Sequence, residues 1–415
     1  DPSVISADPS DNSADPSVIS VDPSVISVDP SINPLGPSDL AALRSVSHML
    51  TFTTTPAPQP TPAAERDKIL ANPGFGVHFT DHMAAATWTA ENGWHNDGIG
   101  PLEPFTLHPA SAVLHYAQEI FEGLKAYRHD DGSIWLFRPD MNAARLQRSA
   151  RRLCLPELPI EDFLTSLEQL VTADAAWVPE VRTGESLYLR PFMVGTENFL
   201  GVRPSATVDY RVIASPAQAY FTTRDRGDQP GGVRLWISDK YIRAAKGGTG
   251  TAKCGGNYGG SLAGQIEAQE HDCDQVLWTD VDGEGLEESG TMNLCIVTRD
   301  GELITPGLGT ILEGVTRDSV LEIAPEHGLT VSERRITVTE LAEGARSGEI
   351  TEVFACGTAA VITPIAEFAS ERPEVRDVVV SDGIAGPKTL AIREHLLGLQ
   401  LGKIDDPRGW LRRVV

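Results

Sequence analysis

Apolar positions along the chain follow two periods, and the switches between them mark its elements. SIWLF (133–137), SLYLRPFMVG (186–195), VRLWIS (233–238) and DQVLWTD (274–280) have short β-branched or aromatic runs that predict strands. MNAARLQRSARRLCL (141–155) and EDFLTSLEQLVTADAAWV (161–178) repeat apolar residues at three and four positions and predict amphipathic helices, the first introduced by Pro139–Asp140. VLHYAQEIFEGLKAYR (113–128) begins as a helix and turns toward strand, and YRVIASPAQAYF (210–221) is a strand. Further on, YGGSLAGQIEAQE, VTRDSVLEIAPEHG and KTLAIREHLLGLQ predict helices. TMNLCIVTRDGELITP predicts a hairpin turning at Asp300–Gly301, and TEVFACGTAAVITPIAEF predicts a strand. Strands and helices do not alternate regularly, so the expected class is α+β in two domains rather than a doubly wound sheet. The polar, glycine-ending stretch TTRDRGDQPGG sets the boundary. A small N-terminal domain spans 69–219, a linker 220–232, and a larger C-terminal domain 233–415.

Residues 1–35 stand apart. Five heptads start at Asp1, Asp8, Asp15, Asp22 and Asp29, each carrying a proline that forbids a continuous helix, so the repeat reads as disorder. Together with the Pro/Thr-rich TFTTTPAPQPTPAAE it forms an expected disordered leader over 1–68. Met49 is the first methionine, which suggests that the native protein begins near it and that the repeat is added or read-through sequence.

A chain of 415 residues with a formal charge of -24 is a poor partner for nucleic acid, and no apolar run reaches the roughly 18 residues of a membrane span. Five widely spread cysteines without a CxxC pair argue for reduced thiols in a cytoplasm, and against a disulfide framework or zinc site. An anionic ligand would need cations gathered at one place against this acidic background.

The densest chemistry lies between Gly247 and Gly260, GGTGTAKCGGNYGG, where seven glycines surround Lys253. Such a window is costly in backbone entropy and suits close approach to a ligand, with the lysine a candidate amine nucleophile. A Walker loop is excluded because Ala252 and Cys254 flank the lysine, and the dinucleotide fingerprint lacks its third glycine. An aldehyde cofactor such as pyridoxal phosphate would need a carboxylate at its ring nitrogen, a donor at its phenolate and an anion site. Glu287 and Glu288 in LEESGTMN can supply the first, and the Gly/Thr turns of TILEGVTR and FACGTAAV the last.

The chain resembles the branched-chain amino acid aminotransferases, fold-type IV pyridoxal phosphate enzymes with a small N-terminal and a larger C-terminal domain and the active site between them. The blocks that carry the resemblance are LHYAQEIFEGLKAYR, LFRPDMNAARLQRSARRLCLP, SLYLRPFMVG, GGTGTAKCGGNYGGSLAGQIEA, CDQVLWTD, EESGTMNLCIV, EGVTRDSVLEIA and EVFACGTAAVITP, in order from about Phe75 to the C-terminus. The resemblance implies that Lys253 is the Schiff-base lysine, Tyr258 the donor to the cofactor phenolate and Glu288 the ring-nitrogen partner. Arg145, Val315, Thr316 and Thr358 are implied at the phosphate, and Thr291 supports the site. For substrate it implies walls from Phe75, Tyr116, Phe121, Tyr188 and Tyr220, with Arg190 admitting the distal carboxylate of glutamate. Thr358 and Ala359 would hold the substrate carboxylate, and Leu200 and Val202 would be donated across a homodimer interface. The implied reaction exchanges the amino group of leucine, isoleucine or valine with 2-oxoglutarate. D-amino acid aminotransferases and aminodeoxychorismate lyases share the lysine and phosphate pieces, and a nucleotide-binding regulator is the reading from another class. The segment GTAAVIT lacks the CxxC redox pair that some animal members carry after this turn, so no thiol regulation is expected there.

Overall fold

The computed structural model describes residues 49–180, 185–218 and 230–415. The expected leader repeat and Tyr220 lie outside them, as does most of the expected linker. Two sheets organise the rest. The first contains β1 (His82–Thr89), β2 (Gly93–Pro101), β3 (Glu119–Phe121), β4 (Leu124–Arg128), β5 (Ile134–Phe137), β6 (Ser186–Gly195), β7 (Thr207–Ala217) and, from the far end of the chain, β17 (Leu411–Arg413). Its order is β17-β5-β4-β6-β7-β1-β2, with β3 also paired to β6. The second contains β8 (Val233–Ile237), β9 (Gln275–Thr279), β10 (Leu286–Ser289), β11 (Met292–Thr298), β12 (Glu302–Thr305), β13 (Thr330–Glu333), β14 (Ile350–Gly357), β15 (Val361–Ala369) and β16 (Val378–Val379). Its order is β10-β9-β8-β15-β14-β11-β12-β13, with β16 on β15.

The helices of the described residues are α1 (Ala63–Ala71), α2 (Ala112–Tyr116), α3 (Pro139–Arg152), α4 (Ile160–Ala173), α5 (Gly255–Glu270), α6 (Val315–Ile323), α7 (Val338–Ser347) and α8 (Pro387–Gln400). Helical spacing in α3 sorts its buried residues by task. Ala143, Leu146 and Ala150 join the core of the first sheet, while Asn142, Arg145 and Ser149 carry buried polar groups along an adjoining stripe. In α4, Phe163, Leu164, Leu167, Leu170 and Val171 are buried in the same core, each worth roughly 1.5–3 kcal/mol of apolar transfer.

Two expectations change. The stretch 49–68, expected as part of a disordered leader, is ordered. Leu50 and Phe52 are buried in the first core, Asp97 accepts from the backbone N–H groups of Thr51 and Phe52 at 2.8 and 2.7 Å, and α1 starts at Ala63. Two apolar anchors outweigh the proline-rich composition around them. The segment 351–368, expected as one strand, is the hairpin β14–β15, closed where Gly357 pairs with Val361. Its turn residues carry no charge or proline to announce the reversal, and Val361 accepts a φ of 61° to make it.

Candidate active site

The second sheet delivers the lysine window to the edge of the first. Lys253 directly precedes α5, whose N-cap is Cys254, and the Gly255 N–H in its first turn donates to the Glu119 carboxylate of β3. A side chain at Gly255 would put its Cβ 2.1 Å from that carboxylate oxygen, so the glycine lets Glu119 keep this contact. The backbone of Lys253 is pinned at both ends: its N–H donates to Ser149 Oγ at 2.9 Å, and its carbonyl accepts from the Phe121 N–H at 2.9 Å. Its Nζ donates to the Tyr258 hydroxyl at 2.6 Å and lies 4.7 Å from the centre of the Phe121 ring. Burial, reinforced by the charge of Arg145, lowers the Lys253 pKa to about 8, so a neutral amine is accessible near physiological pH. Burial also holds the Tyr258 phenol in its protonated form.

A cavity of about 440 Å³ opens over this amine. Lys253, Tyr258, Arg145, Phe75, Phe121, Tyr188, Arg190, Thr291, Val315, Thr316, Thr358 and Ala359 all line it, so most of the expected site residues meet. Arg145 forms a two-pronged pair with Glu122, Nε and Nη2 each 2.8 Å from a carboxylate oxygen, and its Nη1 donates to the Glu313 carbonyl at 3.0 Å. Burial alone would raise the Glu122 pKa, but Arg145 outweighs it and keeps the carboxylate ionised. Val315 and Thr316 form the first turn of α6, where backbone N–H groups lack intrahelical acceptors. Arg190 donates from Nη2 to the Tyr188 hydroxyl at 3.1 Å, and its Nε is buried without a hydrogen-bond partner among the described residues. Gly123 makes room for that hydroxyl, since a Cβ there would lie 2.0 Å from it.

Glu288 sits just behind the wall. The hairpin β10–β11 pairs Glu288 with Asn293, turning at Gly290 with φ 57°, and Asn293, itself a cavity residue, donates from Nδ2 to Glu288 Oε1 at 3.0 Å. Its other oxygen lies 2.8 Å from Arg243 Nε but receives no aligned hydrogen bond. Burial raises the Glu288 pKa to about 6 against the pull of Arg243. Glu287, the next residue back on the strand, accepts from Thr310 and lines a different cavity.

Some expected residues are elsewhere. Tyr116 ends α2 and stacks on Phe199 with ring centres 6.0 Å apart, and it does not line the cavity. Leu200 and Val202 are exposed by 74% and 90% on the loop after β6, also outside it. Three groups were not anticipated: Glu122, Arg243 and Lys125. Glu122 sits in the FEG of the 113–128 block, which was the available signal. Arg243 ties Glu288 to the carbonyls of Gly250 and Thr310. Lys125, buried and lowered by burial to a pKa of about 8, donates to the Ala359 carbonyl at 2.8 Å and steadies the turn after β14.

Pyridoxal phosphate fits this donor set. The cavity offers a neutralisable lysine beside a protonated phenol, and the Glu288 carboxylate lies directly behind its wall at Asn293. It also offers an oriented guanidinium next to a helix start that suits a phosphate. Among the described residues no three or more His, Cys, Asp or Glu side chains form a metal-binding group.

The chain is similar to known proteins over most of its length. The amino-transferase class IV family matches residues 119–368. The branched-chain-amino-acid aminotransferase of Mycolicibacterium smegmatis is 51% identical over 370 residues, covering 88% of this chain and 98% of that protein. The protein of the same name from Mycobacterium tuberculosis is 50% identical over 373 residues, covering 89% and 99%. Among solved structures, the branched-chain amino acid aminotransferase of Escherichia coli aligns with a TM-score of 0.64 and 28% identity, covering 80% of this chain and 100% of that one. An amine, a phenol, a shielded carboxylate and an arginine–glutamate pair around one cavity thus accompany sequence identity near one half, and the chain belongs to the class IV aminotransferases, among the branched-chain-amino-acid aminotransferases.

Proposed function

We propose that the chain catalyses reversible transamination between leucine, isoleucine or valine and 2-oxoglutarate, with pyridoxal 5'-phosphate bound in the 440 Å³ cavity. The observation that carries the reading is Lys253: an amine lowered to about 8, pinned at both backbone ends and bonded to a phenol. When bound, pyridoxal phosphate supplies an aldehyde that condenses with amines and a ring that withdraws electrons.

The protein's residues divide the remaining work. With the cofactor bound, Lys253 Nζ as a neutral amine would take the proton from the substrate α-carbon and return it to the former aldehyde carbon, base and then acid in one 1,3-shift. Glu288 would keep the ring nitrogen of the bound cofactor protonated. The Tyr258 hydroxyl, which accepts from Lys253 Nζ at 2.6 Å, would donate its own hydrogen to the phenolate oxygen of the bound cofactor. Arg145 and the first turn of α6 would hold the phosphate, with Thr358, while Thr291 would support the ring's surroundings. The backbone after β14, at Thr358 and Ala359, holds the substrate carboxylate. One pocket must accept an aliphatic side chain and a carboxylate. Phe75, Phe121 and Tyr188 supply the apolar walls, and the buried, unpartnered Nε of Arg190 supports a role in meeting the carboxylate of glutamate.

We also propose that the two sheets mark a small and a large domain, and that the exposed Leu200 and Val202, with Tyr116, complete the pocket of a second copy in a cytoplasmic homodimer. The test is Lys253→Ala. Turnover and the visible absorbance should vanish together, and borohydride should label only the wild-type peptide that contains Lys253. An active variant that keeps its absorbance would overturn the assignment.

A further inference from the structure

Consecutive residues on a strand face opposite ways, so β10 sends Glu288 toward the cofactor cavity and Glu287 away from it. Glu287 opens instead into a second cavity of about 280 Å³, walled by apolar Leu286, Pro306 and Leu308, with Lys246 at the same cavity. Glu287 is only 5% exposed. Its Oε1 accepts from the Thr310 hydroxyl, but its Oε2 is buried with no hydrogen-bond partner among the described residues. A carboxylate oxygen left in that condition calls for a donor, best a cationic one. Arg335, on the rim, is already engaged by Asp280 through Nε and Nη2 at 3.0 and 2.8 Å, which leaves Lys246 to answer an anionic group.

We infer that this second cavity is a binding site for a free aliphatic α-amino acid as its zwitterion: ammonium on Glu287, carboxylate toward Lys246, side chain against Leu286, Pro306 and Leu308. The size suits such a molecule, and Glu287 and Lys246 offer one charge of each sign to its two termini, the Asp280 carboxylate on the same wall being held by Arg335.

The site is wired to the lysine window. Thr310 donates to Glu287 through its hydroxyl and accepts through its carbonyl from Arg243, the arginine paired with Glu288. Gly250 packs on the same carbonyl so closely that a Cβ would lie 1.9 Å from it. Negative charge on Glu287 adds to the upward shift of the Glu288 carboxyl. Binding at this cavity is independent of the proposed function.

The test is equilibrium dialysis of labelled L-leucine against the borohydride-treated holoenzyme, with excess 4-methylpentanoate to occupy any remaining aliphatic acid site. The expected result is one leucine per chain, weakened at least tenfold by Glu287→Gln and several-fold by Lys246→Ala, whose side chain is exposed and tolerates removal. No stoichiometric leucine on the wild type, or equal binding in both variants, overturns the proposal. Should the protein take up no pyridoxal phosphate, the transamination reading fails while the leucine count still decides this one.

Discussion

Glu122→Gln tests the pair on which the cavity's cationic side depends. The carboxylate and Arg145 meet through two contacts of 2.8 Å, with side chains 0% and 4% exposed, and Asn142 adds a third donor at 2.8 Å. At an effective dielectric near 20, unit charges about 4 Å apart attract by about 4 kcal/mol. Removing one partner of a buried pair costs about 3–5 kcal/mol, because the other charge stays behind unpaired. The amide keeps the shape but turns an acceptor into an N–H group facing the donors of Arg145 or Asn142. Glu122→Gln should therefore lower the apoprotein's urea unfolding free energy by about 3–5 kcal/mol in phosphate-free buffer. The double change Glu122→Met with Arg145→Met should lose far less than the sum of the two single changes, since no charge is stranded. A Glu122→Gln loss below about 1 kcal/mol, or strictly additive losses in the cycle, would refute the argument that the two side chains stabilise one another.

Three further outcomes follow from the site's geometry. With Lys253 lowered to about 8 and only its neutral form nucleophilic, cofactor uptake by the apoprotein should speed up as pH rises to about 8 and level off beyond; a flat rate between pH 6 and 9 is incompatible with this. Gly123→Ala forces the Tyr188 hydroxyl from its place and breaks its 3.1 Å bond from Arg190, so KM for glutamate should rise roughly tenfold, from about 1.5 kcal/mol lost, while absorbance persists. Cys356 lines the cavity, yet a hydrogen bond with Cys295 and burial push its thiol well up. Peroxide should accordingly inactivate wild type and Cys356→Ser at the same rate, and protection by the serine would revive thiol control.

What could be read from the sequence was local. Lys253 and Tyr258 lie five residues apart in one glycine-rich window, and the short spacing that made them visible also lets them bond. The α3 stripe was legible in period though not in purpose, because Arg145 on an amphipathic helix looks like any surface cation until Glu122, 23 positions earlier, is folded against it. Asn293 reaches Glu288 across its own hairpin, whereas Arg243 comes from the loop after β8 and meets Glu288 only in the folded chain. Strands β1 and β2 escaped notice for a different reason. HMAAATWT and GWHNDGIGP are rich in alanine, glycine and polar residues, and they are strands because β7 and each other complete their ladders, not because of intrinsic preference.

The electrostatics of the site resolve the tension between a chain of charge -24 and an anionic cofactor. Few cations are spent on bulk attraction. Arg145 is matched by Glu122, and Arg243 by Glu288, so these two arginines enter as halves of neutral pairs, while Arg190 keeps an unpartnered Nε. What remains is direction. Glu122 takes Nε and Nη2 of Arg145 and thereby sets the plane of the guanidinium, so that the arginine presents donors at a fixed angle to the start of α6. Lys253 gains from the same arrangement, since Arg145 helps lower its pKa while Glu122 limits the shift. An isolated arginine would drive the lysine further toward neutrality, and an isolated glutamate would hold it charged. The pair leaves it near 8, where one amine can serve as nucleophile, base and acid in turn.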